Sequence, residues 1–134
     1  MPDAPVTPTL TSITPFFIVR DVRASIAFYR DQLGFDLAVI TPADDPYFAI
    51  LQRDAVQVML KAILPDVLPL PNSTRHPWAR WDAFIHTDDP DALSREFLGR
   101  GVTLRTALGV DGDNLRGFEV ADHDGYVLFF GRPA

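Results

Sequence analysis

Apolar and polar positions follow two different periods along the chain, and these periods predict short strands separated by helices. The apolar run at 13–19 is rich in β-branched and aromatic residues and predicts a buried strand. From 22 to 33, apolar residues recur every three or four positions, which predicts a helix with one buried stripe. Asp21 stands at the expected N-cap, and Gly34 follows at the position where glycine commonly ends a helix.

The rest of the chain completes this order of elements and then repeats it. The further strands predicted for the first half are 35–40, 47–51 and 56–60. The stretch 62–80 contains four prolines and is the natural linker. The second half is predicted to form a strand at 81–87, a helix at 90–100 between Asp89 and Gly101, and strands at 102–108, 115–121 and 126–131.

The two halves are related by a cryptic internal repeat. Across the first strand of each half the spacing is 68 positions, at the pairs Thr14 and Asp82, Phe16 and Phe84, and Ile18 and His86. Around the last strand of each half the spacing is 70 positions, at the pairs Asp54 and Asp124, Gln57 and Val127, and Met59 and Phe129. A repeated order of elements predicts an α+β fold with two βαβββ modules, about 12–61 and 81–132. Their mixed sheets would form one cupped surface with the helices outside. The length of 134 residues fits a single domain, 1–134.

Composition and charge exclude several classes of function. Twelve basic and 18 acidic residues give a net charge of −6, and the arginines are scattered, so no footprint for nucleic acid or anionic membranes is present. No apolar run reaches the length of a membrane span, and there is no cysteine. Residues 1–10 lack the basic-then-apolar order of a signal peptide, so the expected location is the cytoplasm.

Several specific segments resemble one known superfamily. The run Ile-Val-Arg-Asp at 18–21 leads into Ser-Ile-Ala-Phe-Tyr-Arg-Asp-Gln-Leu-Gly-Phe at 25–35, and Asp-His-Asp-Gly stands at 122–125. Over roughly residues 12–132 this pattern resembles the vicinal oxygen chelate superfamily. That superfamily contains glyoxalase I, extradiol dioxygenases, and fosfomycin and bleomycin resistance proteins. The resemblance implies paired βαβββ modules that bind ligands in a cupped sheet.

The resemblance also implies where a metal would be held. Enzymes of this superfamily take a His, Gln or Glu ligand from the first and last strand of each half, and the repeat places those positions at Thr14, Met59, Asp82 and Phe129. Of these only Asp82 is a plausible ligand, whereas a catalytic site needs about three. The sequence therefore predicts no metal, no cofactor and no catalytic residue. The alternative is a divergent metal-dependent enzyme of the glyoxalase or dioxygenase type, acting as a lyase, isomerase or dioxygenase.

Side-chain alternation along the strands predicts which residues line the cup, and in the first strand it places Phe17 and Val19 on the other face, against the helix. The candidate ligand-binding residues are Thr14, Phe16, Phe48, Gln57, Met59, Asp82, Phe84, His86, Glu119 and Phe129. An aromatic cup with two carboxylates suits a flat, partly cationic organic ligand. Other interpretations stay open: the phenylalanines could be core, and His86 could act as a general base or be structural. Glu119 and Asp82 could act as a paired acid and base, or at least one of them could form a salt bridge with Arg116, Arg80 or Arg105. Trp78 and Trp81 could line the rim or a subunit contact.

The resemblance is strongest to bleomycin-resistance-type members. It implies a metal-independent homodimer that sequesters a small organic molecule, with the ligand in an aromatic cup at the dimer interface. Members of this type exchange an N-terminal arm, and the prolines at 2, 5, 8 and 15 would suit such an arm.

Overall fold

The first half of the chain forms one βαβββ module. The computed structural model describes residues 6–64 and 67–134. Strand β1 (Phe16–Ile18) leads into helix α1 (Val22–Ala27), which continues as a π-helical turn at Phe28–Gln32. Three strands follow: β2 (Asp36–Thr41), β3 (Phe48–Arg53) and β4 (Val56–Lys61).

The second half repeats this order after the linker. A 3-10 turn at Asn72–Thr74 precedes β5 (Ala83–His86), α2 (Pro90–Gly99), β6 (Thr106–Val110), β7 (Leu115–Ala121) and β8 (Val127–Pro133). Across residues 6–64 and 67–134, no helix has the length and apolar character needed to cross a bilayer.

The two modules have the same sheet topology. The strand orders are β1-β4-β3-β2 and β5-β8-β7-β6. In each sheet the first strand runs parallel to the last, as in the pairs Phe16 with Met59 and Phe84 with Phe129, and the remaining pairs are antiparallel. The α+β fold with two βαβββ modules and mixed sheets, predicted from the repeat, is therefore confirmed.

The predicted helix ends are also confirmed. The side chains of Asp21 and Asp89 cap α1 and α2 by accepting hydrogen bonds from backbone N–H groups three residues later, at 3.2 and 3.0 Å. Gly34 and Gly101 both have positive φ, at 73° and 87°, which is the left-handed conformation that ends a helix.

Two strands, β1 and β6, differ most from their predicted bounds. β1 has three residues rather than seven. Pro15 has no N–H to extend the ladder, although its carbonyl accepts from Met59 N at 2.9 Å. β6 begins at Thr106 rather than at 102, because the N–H of Val102 bonds to the Phe97 carbonyl in the turn that closes α2.

One face of each sheet packs on the helices, and both faces join one core. In the first sheet Phe17 and Val19 are buried in this core, as side-chain alternation predicted. In the second sheet, Phe118 and Phe130 make edge contacts with Phe97 of α2 at 5.7 and 5.2 Å. The opposite face of each sheet, here called the helix-free face, carries the alternate side chains.

The turn at 122–125 joins the modules through hydrogen bonds. The Tyr29 hydroxyl donates to Asp122 Oδ2 at 2.8 Å. Asp124 accepts from the Ser25 hydroxyl at 3.2 Å and from the backbone N–H of Arg20 at 3.1 Å. Because the donors belong to the first module and the acceptors to the second, these bonds link α1 and the residues on either side of it to the β7–β8 hairpin.

Further contacts across the same boundary reinforce this link. The Tyr126 hydroxyl donates to the Ile18 carbonyl at 2.7 Å, and its ring stacks on Phe17 at 4.3 Å between centroids. At the β3–β4 hairpin, Arg53 forms a two-pronged ion pair with Glu96 of α2, at 2.7 and 2.8 Å. Both hairpins therefore bind the opposite module.

Burial shifts the pKa values of Asp122 and Tyr29 at the boundary between the modules. It raises the pKa of Asp122 from 3.8 to about 6, against the opposing effect of hydrogen bonds from Tyr29 and two backbone N–H groups. The neighbouring carboxylate of Asp124 raises it further. Burial, followed by the charge of Asp122, also raises the pKa of Tyr29.

This titration predicts a stability effect at mildly acidic pH. Since the folded-state pKa of Asp122 lies above its unfolded value, the stabilisation from its proton is complete below about pH 4 and is lost as the pH rises through about 6. We expect Asp122→Asn to gain about 3 kcal/mol in free energy of unfolding relative to wild type between pH 4 and 7.5. Urea unfolding of both proteins at several pH values measures this difference in free energy of unfolding. The other carboxyl groups are the same in both proteins, so their contributions cancel in the difference.

Asp45→Asn is the matched control, because it removes an exposed carboxyl outside this network. Its stability should run parallel to wild type over the same range. A parallel course for Asp122→Asn would contradict the prediction.

Candidate functional site

A groove of about 550 Å³ lies between the two modules. Three short segments line it: 11–15 before β1, 55–58 at the start of β4, and 82–86 along β5. The groove brings together five of the predicted ligand-binding residues, namely Thr14, Gln57, Asp82, Phe84 and His86.

The other five predicted residues lie outside this groove. Phe16 and Met59 are register partners on the helix-free face of the first sheet, where Phe16 is 51% exposed. Phe48 lies on the next strand, β3. Glu119 and Phe129 belong to the second sheet and are each only 3% exposed. In the described ranges 6–64 and 67–134, this groove therefore brings together only half of the ten predicted side chains.

Four rings form what we call the aromatic cluster: Trp81, Phe84, His86 and Phe129. The Phe84 ring lies 4.5 Å from His86 and 4.8 Å from Phe129, centroid to centroid. Trp81 lies 4.8 Å from Phe129 and 5.4 Å from Phe84. The cluster reaches the groove through Phe84 and His86. Alternation along the predicted strand 81–87 placed Trp81 on the face opposite Phe84 and His86. The observed β5 begins only at Ala83, so alternation does not apply to Trp81.

Phe129 is seated on two glycines that face each other across β7 and β8. Gly117 and Gly131 are register partners on the helix-free face. A Cβ at either position would lie 2.6 Å from the Phe129 ring and would also contact backbone atoms of the neighbouring strand too closely. The missing side chains thus create the space that the ring fills.

Glu119 lies next to the aromatic cluster, and both of its carboxylate oxygens accept hydrogen bonds. Its donors are Trp81 Nε1 at 2.6 Å, Arg105 Nη1 and Thr106 Oγ1 at 2.7 Å each, and Arg80 Nη2 at 3.4 Å. Of the three arginines considered as partners, Arg80 and Arg105 are confirmed, whereas Arg116 binds Asp91 at 2.7 Å. Arg80 also lies 4.6 Å from the centroid of the Trp81 ring. Glu119 therefore acts as an anchor for the cluster.

Asp82 is held by the backbone on both sides. Its Oδ1 accepts from Asn72 N at 2.9 Å and its Oδ2 from Val127 N at 2.8 Å. The first bond fixes the linker and the second fixes the start of β8. Both carboxylate oxygens thus have structural partners.

The positions at which related enzymes hold a metal do not form a metal site here. Besides Asp82 they carry a hydroxyl at Thr14, a thioether at Met59 and a phenyl ring at Phe129, so the donor set does not suit a catalytic divalent cation. Among the residues that the structure describes, no three His, Asp or Glu side chains are arranged to hold a metal ion.

The imidazole of His86 is exposed at the end of β5. Its ring contacts Phe84, and among residues 6–64 and 67–134 it forms no side-chain hydrogen bond. Asp82, which immediately precedes β5, has its own backbone partners. The geometry thus provides no carboxylate to orient His86 as a general base.

Comparison with known proteins identifies the family. The sequence model of the Glyoxalase/Bleomycin resistance protein/Dioxygenase superfamily matches residues 10–130. No curated protein matches the chain in sequence.

Solved structures resemble the chain over nearly its whole length. The bleomycin-binding protein from Streptomyces verticillus, complexed with copper(II)-bleomycin, is 23% identical with a TM-score of 0.69, covering 96% of this chain and 100% of its own. TnmS3, an antibiotic binding protein from Streptomyces sp. CB03234, is 21% identical with a TM-score of 0.63, covering 95% and 100%. A glyoxalase-related enzyme from Clostridium phytofermentans is 12% identical with a TM-score of 0.72, covering 95% and 98%. At these identities the likeness shows the fold.

The seat of Phe129 gives a direct test of the second sheet. We expect Gly131→Ala to lower the free energy of unfolding by about 3 kcal/mol, since the added Cβ must displace the ring or the facing strand. Gly99→Ala is the matched control, because a Cβ there meets nothing within 4 Å at the end of α2. That control should be neutral or stabilising by about 0.5 kcal/mol. Equal stabilities in urea unfolding would contradict the close approach.

Proposed function

Because this chain belongs to the Glyoxalase/Bleomycin resistance protein/Dioxygenase superfamily, we propose that it binds a small organic ligand without metal-dependent chemistry. The ligand lies in the groove between the modules, with an aromatic part stacked on Phe84. The observation that carries the proposal is that one wall of this groove is the exposed edge of a ring cluster.

The size and lining of the groove support this proposal. Its volume of about 550 Å³ lies within the usual range for small-molecule sites. A ring stacked on Phe84 would gain about 1 kcal/mol beyond the burial of its apolar area. Glu119 and the tight seat of Phe129 hold the cluster in place, so little ordering is needed when a ligand binds.

The structural relatives suggest the class of ligand. Two of them are described as binding bleomycin or an antibiotic. We propose the same kind of role for this chain, namely sequestration of an antibiotic-like organic molecule. Cationic character in the ligand stays a prediction, and Asp82 and Glu119 give it no direct support because their oxygens already have partners.

The only support for the alternative, a metal-dependent enzyme, is the fold that the chain shares with a glyoxalase-related enzyme. Such an enzyme requires a metal site at the positions of Thr14, Met59, Asp82 and Phe129, and this donor set does not suit one. The cytoplasmic location expected from the sequence stays a prediction.

We also propose that the protein is a homodimer. Before β1, the side chains of Val6, Leu10 and Ile13 are at least 90% exposed, and Phe16 on the helix-free face of the first sheet is about half exposed. Apolar side chains gathered on an arm and on one sheet face indicate a surface that another chain covers. A second copy would also cover the helix-free face of the first sheet.

Sedimentation equilibrium tests the dimer. We expect a species of twice the 14.9 kDa chain mass at micromolar concentration, shifted towards monomer by Ile13→Asp. Asp36→Asn, an exposed change on β2, serves as the control and should leave the mass unchanged. A wild-type protein that stays at 14.9 kDa at all concentrations would sink the proposal.

Titration calorimetry tests ligand binding with two probes, bleomycin and acridone, a flat uncharged ring. We expect saturable binding of at least one probe, weakened about tenfold by Phe84→Ala because the stacking surface is lost. Phe48→Ala, which truncates a ring outside the groove, should leave the affinity unchanged.

Two outcomes would contradict the proposed function. Absence of saturable binding of both probes would reject the ligand site. A stoichiometric divalent metal in protein purified without chelator, lost in Asp82→Ala, would favour the enzyme alternative.

A further inference from the structure

We infer that Gln57 makes the groove selective for a ligand that presents an N–H or O–H group, because Gln52 fixes the orientation of the Gln57 amide. This inference rests on the proposed function, since it assigns part of the ligand's chemistry at the same groove. It names a specificity-determining residue, Gln57, and a positioning residue, Gln52.

The orientation is set by a backbone carbonyl. Asp54 lies in the tight turn between β3 and β4 and has a positive φ of 52°. Its carbonyl oxygen accepts from Gln52 Nε2 at 3.1 Å. A carbonyl can only accept, so the amide group of Gln52 has to direct its NH₂ towards the turn.

The same constraint passes from Gln52 to Gln57. The two residues are register partners on β3 and β4. With its NH₂ committed to Asp54, Gln52 presents Oε1 across the ladder, and Gln57 Nε2 donates to that oxygen at 3.1 Å. Reversing the Gln57 amide would bring two carbonyl oxygens together, and reversing both amides would set Gln52 Oε1 against the Asp54 carbonyl.

Gln57 Oε1 is therefore left as a fixed acceptor. Within the described ranges 6–64 and 67–134 this oxygen has no hydrogen-bond partner, and Gln57 lines the groove together with Phe84. The hydroxyl of Thr14 can rotate to donate or accept, so it does not discriminate. Asp82, the carboxylate of the groove, already accepts two backbone N–H groups.

The ligand class follows from these two features. A flat ring that stacks on Phe84 and carries an N–H or O–H at its edge would satisfy both the apolar wall and the Gln57 acceptor. A ring of the same shape without a donor would leave that acceptor unpaired when water is excluded, which costs affinity.

Acridone and N-methylacridone form a matched pair of probes, because only the first has an N–H. We expect wild type to bind acridone about fivefold more tightly, which is the value of one hydrogen bond. Gln57→Met keeps the side-chain length but removes the acceptor. This variant should bind acridone more weakly than wild type does, so that acridone and N-methylacridone bind with about equal affinity. In Gln52→Met the Gln57 amide is free to turn and to donate its NH₂ to a ligand. N-methylacridone has a carbonyl that can accept this bond, so it should bind Gln52→Met more tightly than wild type.

The outcomes separate this inference from the proposed function. If wild type binds both rings equally, or if the preference persists in Gln57→Met because it reflects the size of the methyl group, the inference is wrong while the groove remains a ligand site. If neither ring binds, the inference fails. If bleomycin does not bind either, the proposed function fails as well. Circular dichroism melts of the two variants check that each is folded.

Discussion

Each module has a single helical segment to cover a four-stranded sheet with two faces, and the rest of the structure depends on how the second face is covered. In the second module the chain covers it with its own side chains: Phe129 fills the space over Gly117 and Gly131, and Trp81 lies beside it. In the first module the equivalent face keeps Phe16 half exposed. The second sheet thus has aromatic rings packed on this face, whereas on the first sheet Phe16 stays half exposed.

The rings that cover this face of the second sheet also bury the carboxylate of Glu119, and burial restricts its role. Glu119 is buried, and a buried carboxylate is tolerated only with opposite charge and hydrogen-bond donors around it. Arg80 and Arg105 supply the opposite charge, and the Trp81 indole N–H supplies a further donor. The carboxylate therefore orients the indole ring, and its oxygens are already occupied by donors of the protein itself. The sequence shows the acid at position 119 but not the donors that surround it in the fold.

Periodicity, capping and the repeat were enough to predict both modules, since each depends on residues close in sequence. Side-chain alternation also assigned Phe17 and Val19 correctly to the helix-covered face. Alternation gives the face of a strand, however, and not the neighbours across the fold. Phe16 and Phe84 occupy equivalent repeat positions, yet one is half exposed and the other joins the aromatic cluster. The short β1 and the late β6 likewise depend on a missing N–H at Pro15 and on a helix-closing turn.

The repeat is most informative where its halves differ in chemistry. Asp54 and Asp124 are equivalent turn residues, but the first uses its carbonyl to orient Gln52, whereas the second uses its carboxylate to bind Ser25 and the Arg20 backbone of the other module. Gln57 is likewise replaced in the second half by Val127, which is buried. The groove lies between the modules, which the bonds of the 122–125 turn hold together. The turn at Asp54 orients the Gln52–Gln57 pair, which reaches the groove through Gln57. One hairpin therefore maintains the site and the other gives it selectivity, which two identical modules could not do.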